Sequence, residues 1–523
     1  MTQLAFAIRP IAATLGHLNH PPPVPAFIPL PLGQPIPANS PHAVSASLPT
    51  MRAVCGYEEK DPAITGAMTS GYPRFVVHPL LQKLAAHLRE KHGLAGHTVW
   101  LVSSERMAGR LAAHLGAAHV SRFEDDGIQI VTHPEIGDLV GRAKAFLQNT
   151  GGFLSSRAAE DALVRRGLLA AAAPEARFAG DALAEIRRHL GPLFPEVARE
   201  DILLAGCGMS AVDAAFRAVS ELQAARGRTI WVQLGWLYLD TIALLKKYTA
   251  APGDYIAVDN VFDLAGLERL FAEKGGRIAG ILAEVPTNPL IQTPDLVAIA
   301  TLARNHGAAL VLDPSISSTY AIDVLPYADV VVSSLTKYTA SEGDLTAGLV
   351  VVNPAAADAA QLRRSIAAKV EPLYASDRAR LAHEIAETRA VLAQIHASVP
   401  PVATFLAAHP AVRAVYWAQH PASRDNYASV ARAPEAVGSM ITFVLTGPLA
   451  NFYDRLRLPK GPSFGMKTTL ICPFMYLAHY DLATTPAGRA SLEAAGLSPD
   501  LLRLSVGVEP VEEIIAALAE ALA

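Results

Sequence analysis

Short apolar runs alternate with amphipathic segments through the middle of the chain. The apolar runs predict strands at 202–204, 229–232, 255–258, 278–283, 308–312 and 328–332. Apolar positions at helical spacing predict helices between the earlier strands, at 211–224, 239–248 and 265–274. This alternation is typical of a mostly parallel sheet with helices on both faces, in which ligands bind at the carboxyl ends of the strands. We therefore predict an α/β fold.

The pattern changes on both sides of this central part. After about residue 370 it predicts a long helix at 376–398, strands at 412–417 and 439–445, and a closing helix at 511–523, as in a smaller α+β domain. Residues 20–50 are rich in proline and predict an extended arm, whereas strands predicted at 99–102 and 128–131 indicate an inserted subdomain. The predicted segments are an N-terminal arm 1–97, an inserted subdomain 98–195, a large domain 196–370 and a C-terminal domain 371–523.

Composition excludes several classes of protein. The 523 residues carry a formal net charge of -4 without a block of like charges, which argues against a nucleic-acid partner. No run of about 18 consecutive apolar residues could span a bilayer, and the first residues lack the pattern of a secretory signal. Cys55, Cys207 and Cys472 are too few and too scattered for a disulfide framework or a zinc site. We expect a cytoplasmic protein without metal, membrane or nucleic-acid partners.

Two residues at predicted strand ends indicate a specific chemistry. Lys337 follows the apolar run 328–332, and Asp313 ends the run 308–312. One amine and one carboxylate at neighbouring strand ends suit pyridoxal phosphate (PLP), because the amine can bond its aldehyde and the carboxylate can keep its ring nitrogen protonated. We therefore predict a PLP site, with Lys337 as the catalytic lysine.

Other candidate cofactor ligands also follow predicted strands. Gly208 and Met209 open a helix whose amides favour an anion, although a glycine turn before a helix is often structural. Tyr238 could stack on the cofactor ring or be a core aromatic residue, and Asn288 could bond the ring hydroxyl or form an Asn-Pro turn. Three further hydroxyl residues are candidates for the same cofactor: Ser315, Ser334 and Thr336.

The order of these motifs resembles that of the Cys/Met-metabolism family of fold-type I PLP enzymes. The motifs are Gly208-Met209, Tyr238-Leu239-Asp240-Thr241, Pro286-Thr287-Asn288-Pro289, Asp313 and Ser334-Leu335-Thr336-Lys337-Tyr338. Tyr72-Pro73-Arg74 is similar to the family's arm, and Leu502-Arg503-Leu504-Ser505 to its terminal segment. The resemblance implies a fold-type I transferase with amino-acid substrates.

The resemblance also implies roles for individual residues. Tyr72 and Arg74 would reach the phosphate of a neighbouring subunit, which implies a homodimer or homotetramer, and Tyr72 or Tyr238 would assist proton transfer. Arg503 would hold the substrate α-carboxylate, since an arginine fork fits a carboxylate. Ser463 and Asn288 would also contact substrate.

Departures from the family pattern leave the specific activity open. The long stretch before the glycine turn resembles the long form of cystathionine γ-synthase. Ser341-Glu342-Gly343-Asp344 replaces Gly-His-Ser-Asp, and Ser463-Phe464-Gly465-Met466-Lys467-Thr468 replaces Ser-Leu-Gly-Gly-Val-Glu. We predict γ-replacement on an O-acylhomoserine by a thiol such as cysteine, giving cystathionine for transsulfuration and methionine biosynthesis.

Alternative functions remain within and outside the family. Within it, a sulfhydrylase, a γ-lyase or a γ-substitution enzyme of secondary metabolism would share every cofactor residue. A nucleotide-binding α/β protein is disfavoured, because the 206–208 turn lacks a third glycine at GxGxxG spacing and a P-loop lysine. An inactive scaffold would leave Lys337 and Asp313 unexplained.

Overall fold

The structure, a computed structural model, describes residues 27–71, 76–116, 118 and 120–523. The strands within these residues are β1 Pro35–Ile36, β2 Ser45–Ala46, β3 His97–Val102, β4 Ser121–Asp125, β5 Ile128–Pro134, β6 Leu203–Ala205, β7 Ile230–Leu234, β8 Tyr255–Val258, β9 Ile278–Glu284, β10 Ala309–Asp313, β11 Val330–Ser334, β12 Gly348–Val352, β13 Val412–Tyr416, β14 Met440–Leu445, β15 Leu470–Pro473 and β16 Leu502–Ser505.

The α-helices are α1 Met51–Glu58, α2 Pro62–Thr65, α3 Pro79–Lys91, α4 Glu105–Leu115, α5 Leu139–Thr150, α6 Ser156–Arg165, α7 Ala182–Leu190, α8 Gly208–Ala224, α9 Leu239–Tyr248, α10 Leu264–Lys274, α11 Leu296–His306, α12 Ala359–Ala367, α13 Ala375–Glu384, α14 Thr388–Ala408, α15 Arg424–Val430, α16 Leu449–Arg455, α17 Phe474–Ala478, α18 Tyr480–Thr484, α19 Pro486–Ala494 and α20 Val511–Leu522. Local chemistry sets many ends. Asp295 caps α11 by accepting the Ala298 N–H, and Gly307, at φ 65°, ends that helix in the left-handed region.

A seven-stranded sheet forms the centre of the molecule, in the order β6-β12-β11-β10-β9-β7-β8. Strand β12 is antiparallel to both neighbours, and the other pairs are parallel. Alternate residues of β10 enter different hydrophobic cores: Leu310 and Leu312 lie in one, Ala309 and Val311 in the other. The prediction of a mostly parallel α/β sheet covered on both faces is confirmed.

The register of the sheet places chemistry at one edge. Asp313, the last residue of β10, is the pairing partner of Glu284, the last residue of β9. Strand β11 ends next to them at Ser334, three residues before Lys337. The carboxyl ends of three adjacent strands therefore lead into the candidate site.

The C-terminal part contains an antiparallel sheet in the order β13-β14-β16-β15. Helices α14 and α20 pack together, and α14 also packs on β13. One helical stretch among the described residues, Ala375–Ala408, could cross a membrane by its length and composition alone. Its apolar residues Val391, Ile395 and Val399 are buried in the main core, as expected of a core helix.

A three-stranded antiparallel sheet, β3-β5-β4, lies between the N-terminal segment and the large sheet in sequence. Helix α3 falls within the segment predicted as an arm, yet its Leu84 and Leu88 share a core with Val99 and Leu101 of β3. By packing, α3 belongs with this small sheet. The segment boundaries predicted from sequence stay a prediction.

Residues 27–50 differ from a free extended arm. Strands β1 and β2 pair antiparallel within them, and residues 43–48 are all buried. The Val44 N–H donates to the Gly343 carbonyl at 2.8 Å, which fastens this segment to the loop after Lys337. Proline excludes helix here without excluding burial.

Candidate active site

A cavity of about 290 Å³ opens where the large sheet, the C-terminal sheet and the inserted region meet. Lys337, Asp313, Arg503 and Tyr238 line it, together with residues of the inserted region such as Gly151. Residues predicted from four separate motifs therefore share one cavity.

The Lys337 side chain is enclosed in this cavity. Its Nζ donates to the Ser463 hydroxyl at 3.0 Å and lies 4.7 Å from the centre of the Phe464 ring. Burial lowers the pKa of the Lys337 amine well below its ordinary value, and the charge of Arg503 lowers it further. Burial therefore favours the neutral amine, the state required of a nucleophile or a base.

Asp313 is held by its neighbour Ser315. The Ser315 N–H and hydroxyl both donate to Asp313 Oδ1, at 2.9 and 2.5 Å, and the Ser315 hydroxyl accepts the Ser334 N–H at 2.7 Å. Burial raises the pKa of Asp313 to about 6, while the two Ser315 hydrogen bonds act in the opposite direction. A protonated ring nitrogen at this carboxylate would stabilise its charged form.

Glu284 is a site residue to which the sequence alone assigned no role. It lines the cavity beside Asp313 and accepts a hydrogen bond from the Tyr238 N–H. Burial and the nearby Asp313 carboxylate raise its pKa well above the ordinary value. A carboxyl residue immediately before the segment Val285–Pro289 at a strand end was the signal that could have identified it.

The N-terminus of α8 forms the anion-binding end of the cavity. No side chain caps this 17-residue helix, whose N-cap is Cys207. Any side chain at Gly208 would collide with Ser334, since a Cβ there would lie 2.9 Å from the Ser334 Cβ. The N-terminus of α8 and the end of β11 thus approach as closely as glycine permits, and the helix amides face the cavity.

Thr336 and Met209 are both placed by contacts with neighbouring segments. The Ala347 N–H donates to the Thr336 hydroxyl at 3.0 Å, and the Thr241 hydroxyl lies 3.6 Å from the Met209 sulfur. Both residues line the cavity. Burial raises the pKa of the Cys207 thiol to about 11, so this residue is a neutral thiol at the phosphate end.

Arg503 lies between two phenylalanine rings. Its Cζ is 5.2 Å from the Phe464 ring centre and 4.6 Å from that of Phe474, and its Nη1 donates to Asn288 Oδ1 at 3.2 Å. Stacked rings orient a guanidinium and exclude water from it. Cys472 pairs with Arg503 across β15 and β16. The pair of rings was not predicted, because it depends on strand pairing that local sequence does not reveal.

A buried hydrogen-bond chain connects the lysine loop to the strand that carries Arg503. The Tyr338 hydroxyl is 2.5 Å from the Ile316 carbonyl and 2.9 Å from the Ser439 hydroxyl. Ser439 in turn lies 3.0 Å from the Ser505 hydroxyl, which accepts the Gly465 N–H at 2.9 Å. The relative positions of the lysine and the arginine are therefore fixed by hydrogen bonds.

The inserted region supplies a wall of its own chain's cavity. Gly151, which ends α5 at φ 65°, accepts a hydrogen bond from the Cys207 thiol at 3.8 Å. Ser103 and Ser104 each donate to Glu371 at 2.6 Å, and the Glu371 carbonyl accepts the Gly206 N–H at 3.0 Å. The insertion is thus bonded directly to Cys207 and, through Glu371, to Gly206. These two residues form the loop before α8, which we call the phosphate loop.

The structure brings most of the predicted site residues together. The cavity is lined by Gly208, Met209, Tyr238, Asn288, Asp313, Ser315, Ser334, Thr336, Lys337 and Arg503, and Ser463 reaches it through Lys337. Tyr72 and Arg74 lie outside the described residues. Cys55, Cys207 and Cys472 are free thiols, and no cluster of His, Cys, Asp or Glu among the described residues could hold a metal ion.

Comparison with known proteins identifies the family. Residues 196–523 match the Cys/Met metabolism PLP-dependent enzymes. The chain belongs to this family. It is therefore a PLP-dependent enzyme, and the resemblance inferred from its motifs is confirmed.

Two relatives span nearly the whole chain. An L-2-amino-4-chloropent-4-enoate dechlorinase/desaturase of Streptantibioticus cattleyicolor is 39% identical over 92% of this chain and 96% of its own length. A cystathionine γ-synthase of Neurospora crassa is 27% identical over 94% of this chain and 98% of its own length. The crystal structure of a cystathionine γ-synthase from Xanthomonas oryzae pv. oryzae, in complex with cystathionine, is 26% identical with a TM-score of 0.56, covering 66% of this chain and 86% of that one.

The residues present fit pyridoxal 5′-phosphate, the cofactor of the family. The neutral Lys337 amine suits its aldehyde, the uncapped α8 amides suit its phosphate, and the Asp313 carboxylate suits its ring nitrogen. The tight contact at Gly208 provides the close backbone approach that phosphate binding needs. This fit rests on chemistry from three elements that are far apart in sequence.

Proposed function

We propose that this enzyme eliminates a leaving group from the γ-carbon of an L-α-amino acid. Its family carries out cystathionine γ-synthase-like or lyase-like chemistry, by γ-substitution or elimination. The observation that favours elimination is the charge pattern of the cavity. Among the described lining residues, Lys337 and Arg503 are the only lysine and arginine.

Replacement by cysteine would bring two amino-acid carboxylates into the cavity. Arg503 can hold one of them, but the other guanidinium groups nearby are already paired. Arg157 is bound by Glu175 and Asp377, and Arg106 by Glu371. A second carboxylate would have no described arginine to neutralise it, and an unpaired buried charge is costly.

The chain's own residues divide the work of an elimination. Arg503 holds the α-carboxylate, and the flanking Phe464 and Phe474 rings keep water away from that contact. The Lys337 amine, kept basic and uncharged by burial, moves the protons at Cα and Cβ one after the other, since it can hold only one at a time. Pyridoxal phosphate, when bound, supplies the electron sink that makes those protons acidic. The hydrogen bonds of Tyr338 keep Lys337 and Arg503 in fixed positions relative to each other.

The 39% identical relative supports the same choice. Its name describes loss of chlorine from C4, the γ-carbon, of an unsaturated 2-amino acid. Phe464, Phe474 and Leu477 line the cavity near Arg503 and suit an uncharged, apolar chain of this type. We therefore propose L-2-amino acids with a C4 leaving group, including chloride, as the substrate class.

The second candidate is γ-replacement on an O-acylhomoserine by cysteine. The Neurospora crassa cystathionine γ-synthase supports it, because the match covers 94% of this chain and so includes the inserted region. A role in methionine biosynthesis, a cytoplasmic location and a homodimer or homotetramer belong with this candidate and stay predictions.

One experiment separates the two candidates. Purified holoenzyme is incubated with L-2-amino-4-chloropent-4-enoate, and separately with O-acetyl- or O-succinylhomoserine with and without cysteine. Chloride release with formation of a more unsaturated product supports the elimination. Cystathionine formation without chloride release would replace it with the second candidate. Lys337→Ala, which lacks the amine, is the control for turnover by the site described here.

A further inference from the structure

A second group of hydrogen-bonded side chains lies in the cavity, apart from Lys337, Asp313 and Arg503. His42 Nδ1 is 2.9 Å from the Ser156 hydroxyl, and His42 Nε2 is 3.2 Å from Glu160 Oε2. His42 and Ser156 both line the cavity. His42 comes from the N-terminal segment, whereas Ser156 and Glu160 lie on α6 of the inserted region. We call these three residues the serine row.

The serine row is enclosed and well anchored. His42 is 4% exposed and Glu160 3%. The other Glu160 oxygen accepts the Ala173 N–H at 3.0 Å, and the His42 ring stacks on His78 at 6.0 Å between ring centres. A buried histidine and carboxylate are costly to maintain unless they are paired.

Two further basic side chains, His78 and Arg157, neighbour the serine row. His78 donates to the Pro41 carbonyl at 2.7 Å, and burial lowers its pKa to about 4, so it is neutral. Arg157 is paired with Glu175, Asp344 and Asp377. The polar groups of both side chains are therefore bonded to partners outside the serine row.

The position of hydrogens on the row follows from simple acceptor rules. An ionised Glu160 can only accept, so His42 Nε2 carries a hydrogen. When His42 is an imidazolium, Nδ1–H also donates, to the Ser156 oxygen, and the Ser156 O–H is left to point into the cavity. When His42 is neutral, Nδ1 must accept the Ser156 O–H, and that donor is withdrawn from the cavity.

The row is fastened to the loop that follows Lys337. The Val44 N–H, two residues after His42, donates to the Gly343 carbonyl at 2.8 Å. Arg157, next to Ser156, donates to the Asp344 carbonyl at 2.9 Å. These contacts join the segments that carry His42 and Ser156 to the loop that follows Lys337.

We propose that Ser156 binds the leaving group, with His42 and Glu160 as positioning residues. This inference rests on the proposed function only in taking the reaction to break a bond at Cγ. As the bond from Cγ to the leaving atom breaks, both electrons go to that atom, and the Cβ proton goes to Lys337. The Ser156 O–H donates to the developing anion, polarised by the His42 imidazolium behind it. A preorganised donor of this kind typically accounts for a rate factor of about 10²–10³.

The test compares Ser156→Ala and His42→Gln with Ser155→Ala as the matched control. Ser155 uses its hydroxyl to cap α6, at 3.2 Å from the Ala158 nitrogen, so its removal weakens the same helix without touching the row. We expect kcat to fall about 100-fold in Ser156→Ala, at unchanged cofactor affinity, and to be unchanged in Ser155→Ala. His42→Gln should lower kcat in the same direction, and KM and cofactor affinity should be unchanged in both row variants.

Several outcomes would overturn the proposal. One is a Ser156→Ala enzyme with wild-type kcat, and another is an equal loss of cofactor affinity in Ser156→Ala and Ser155→Ala, as for a purely structural contact. Should Ser156→Ala fail to fold, His42→Gln decides by the same comparison of kcat with KM and cofactor affinity. If the wild type forms cystathionine and releases no chloride, the proposed elimination fails, and the same variants are then measured on O-acetylhomoserine, whose leaving group is also an anion.

Discussion

Gly151→Ala tests whether the inserted region supports the phosphate loop. A Cβ at Gly151 would lie 2.5 Å from the Cys207 sulfur and 2.6 Å from the Ser210 backbone nitrogen. Both atoms belong to the N-terminus of α8, whose amides suit the cofactor phosphate. We expect the substitution to push this loop away from its position.

Two contributions lower the stability of the Gly151→Ala protein. Alanine in the left-handed region costs about 1–2 kcal/mol, and overpacking adds about 1–3 kcal/mol to this cost. Loss of one hydrogen bond to a charged group costs about 1.5–3 kcal/mol, which corresponds to a weaker affinity by about 10- to 100-fold. We therefore expect cofactor affinity in Gly151→Ala to fall by about this factor.

Gly167→Ala is the matched control. Gly167 has φ 68°, close to the 65° of Gly151, but no atom would lie within 4 Å of a Cβ at that position. It should lose similar stability from backbone strain and keep its cofactor affinity. The assay titrates cofactor-free protein with pyridoxal phosphate and, separately, with pyridoxal, which lacks the phosphate. Equal phosphate-dependent affinity in the two variants would refute the reasoning.

Three further predictions concern the central residues. Arg503→Lys removes the planar fork, and we expect KM to rise about 10- to 100-fold, with kcat less affected, in steady-state kinetics; an unchanged KM would contradict the carboxylate assignment. In cofactor-free protein, burial raises the Asp313 pKa from 3.8 to about 6, so the folded state binds this proton more tightly than the unfolded state does. The stability that the proton gives to the folded state is lost as pH rises through about 6. Asp313→Asn should therefore melt at a higher temperature than wild type above pH 6 and at a similar temperature near pH 4; a constant difference would contradict this. Tyr338→Phe removes the hydroxyl that contacts Ile316 and Ser439 and should lower the free energy of unfolding by about 1–3 kcal/mol in urea, with no change expected if those groups find other partners.

Local pattern was sufficient for the central sheet. Strand β8 and helix α9 have the bounds that periodicity predicts, 255–258 and 239–248. Lys337 and Asp313 could be found as well, because each follows a continuous apolar run and only their shared sheet edge had to be assumed. In these segments the apolar pattern that predicts a strand or helix and the contacts that form it involve residues close in sequence.

Other features depend on contacts between distant residues. The Arg503 environment requires Phe464 and Phe474, which pairing of β15 with β16 brings near it. The inserted region lines the cavity where Gly151 contacts Cys207. Val44 is buried where its N–H donates to the Gly343 carbonyl. Apolar periodicity carries no information on contacts between segments that are distant in sequence, so these features were not predicted.

The Tyr338 hydrogen-bond chain has a consequence for how the enzyme is made. Tyr338 meets Ser439 across 101 residues of sequence, and Ser439 meets Ser505 across a further 66. During synthesis, the lysine loop therefore leaves the ribosome long before the strand that completes its contacts. Contacts of such long sequence separation form late in folding, because loop closure opposes them. We expect a polypeptide that stops before β16 to leave Lys337 without a formed site, so that cofactor capture marks the completion of the whole chain.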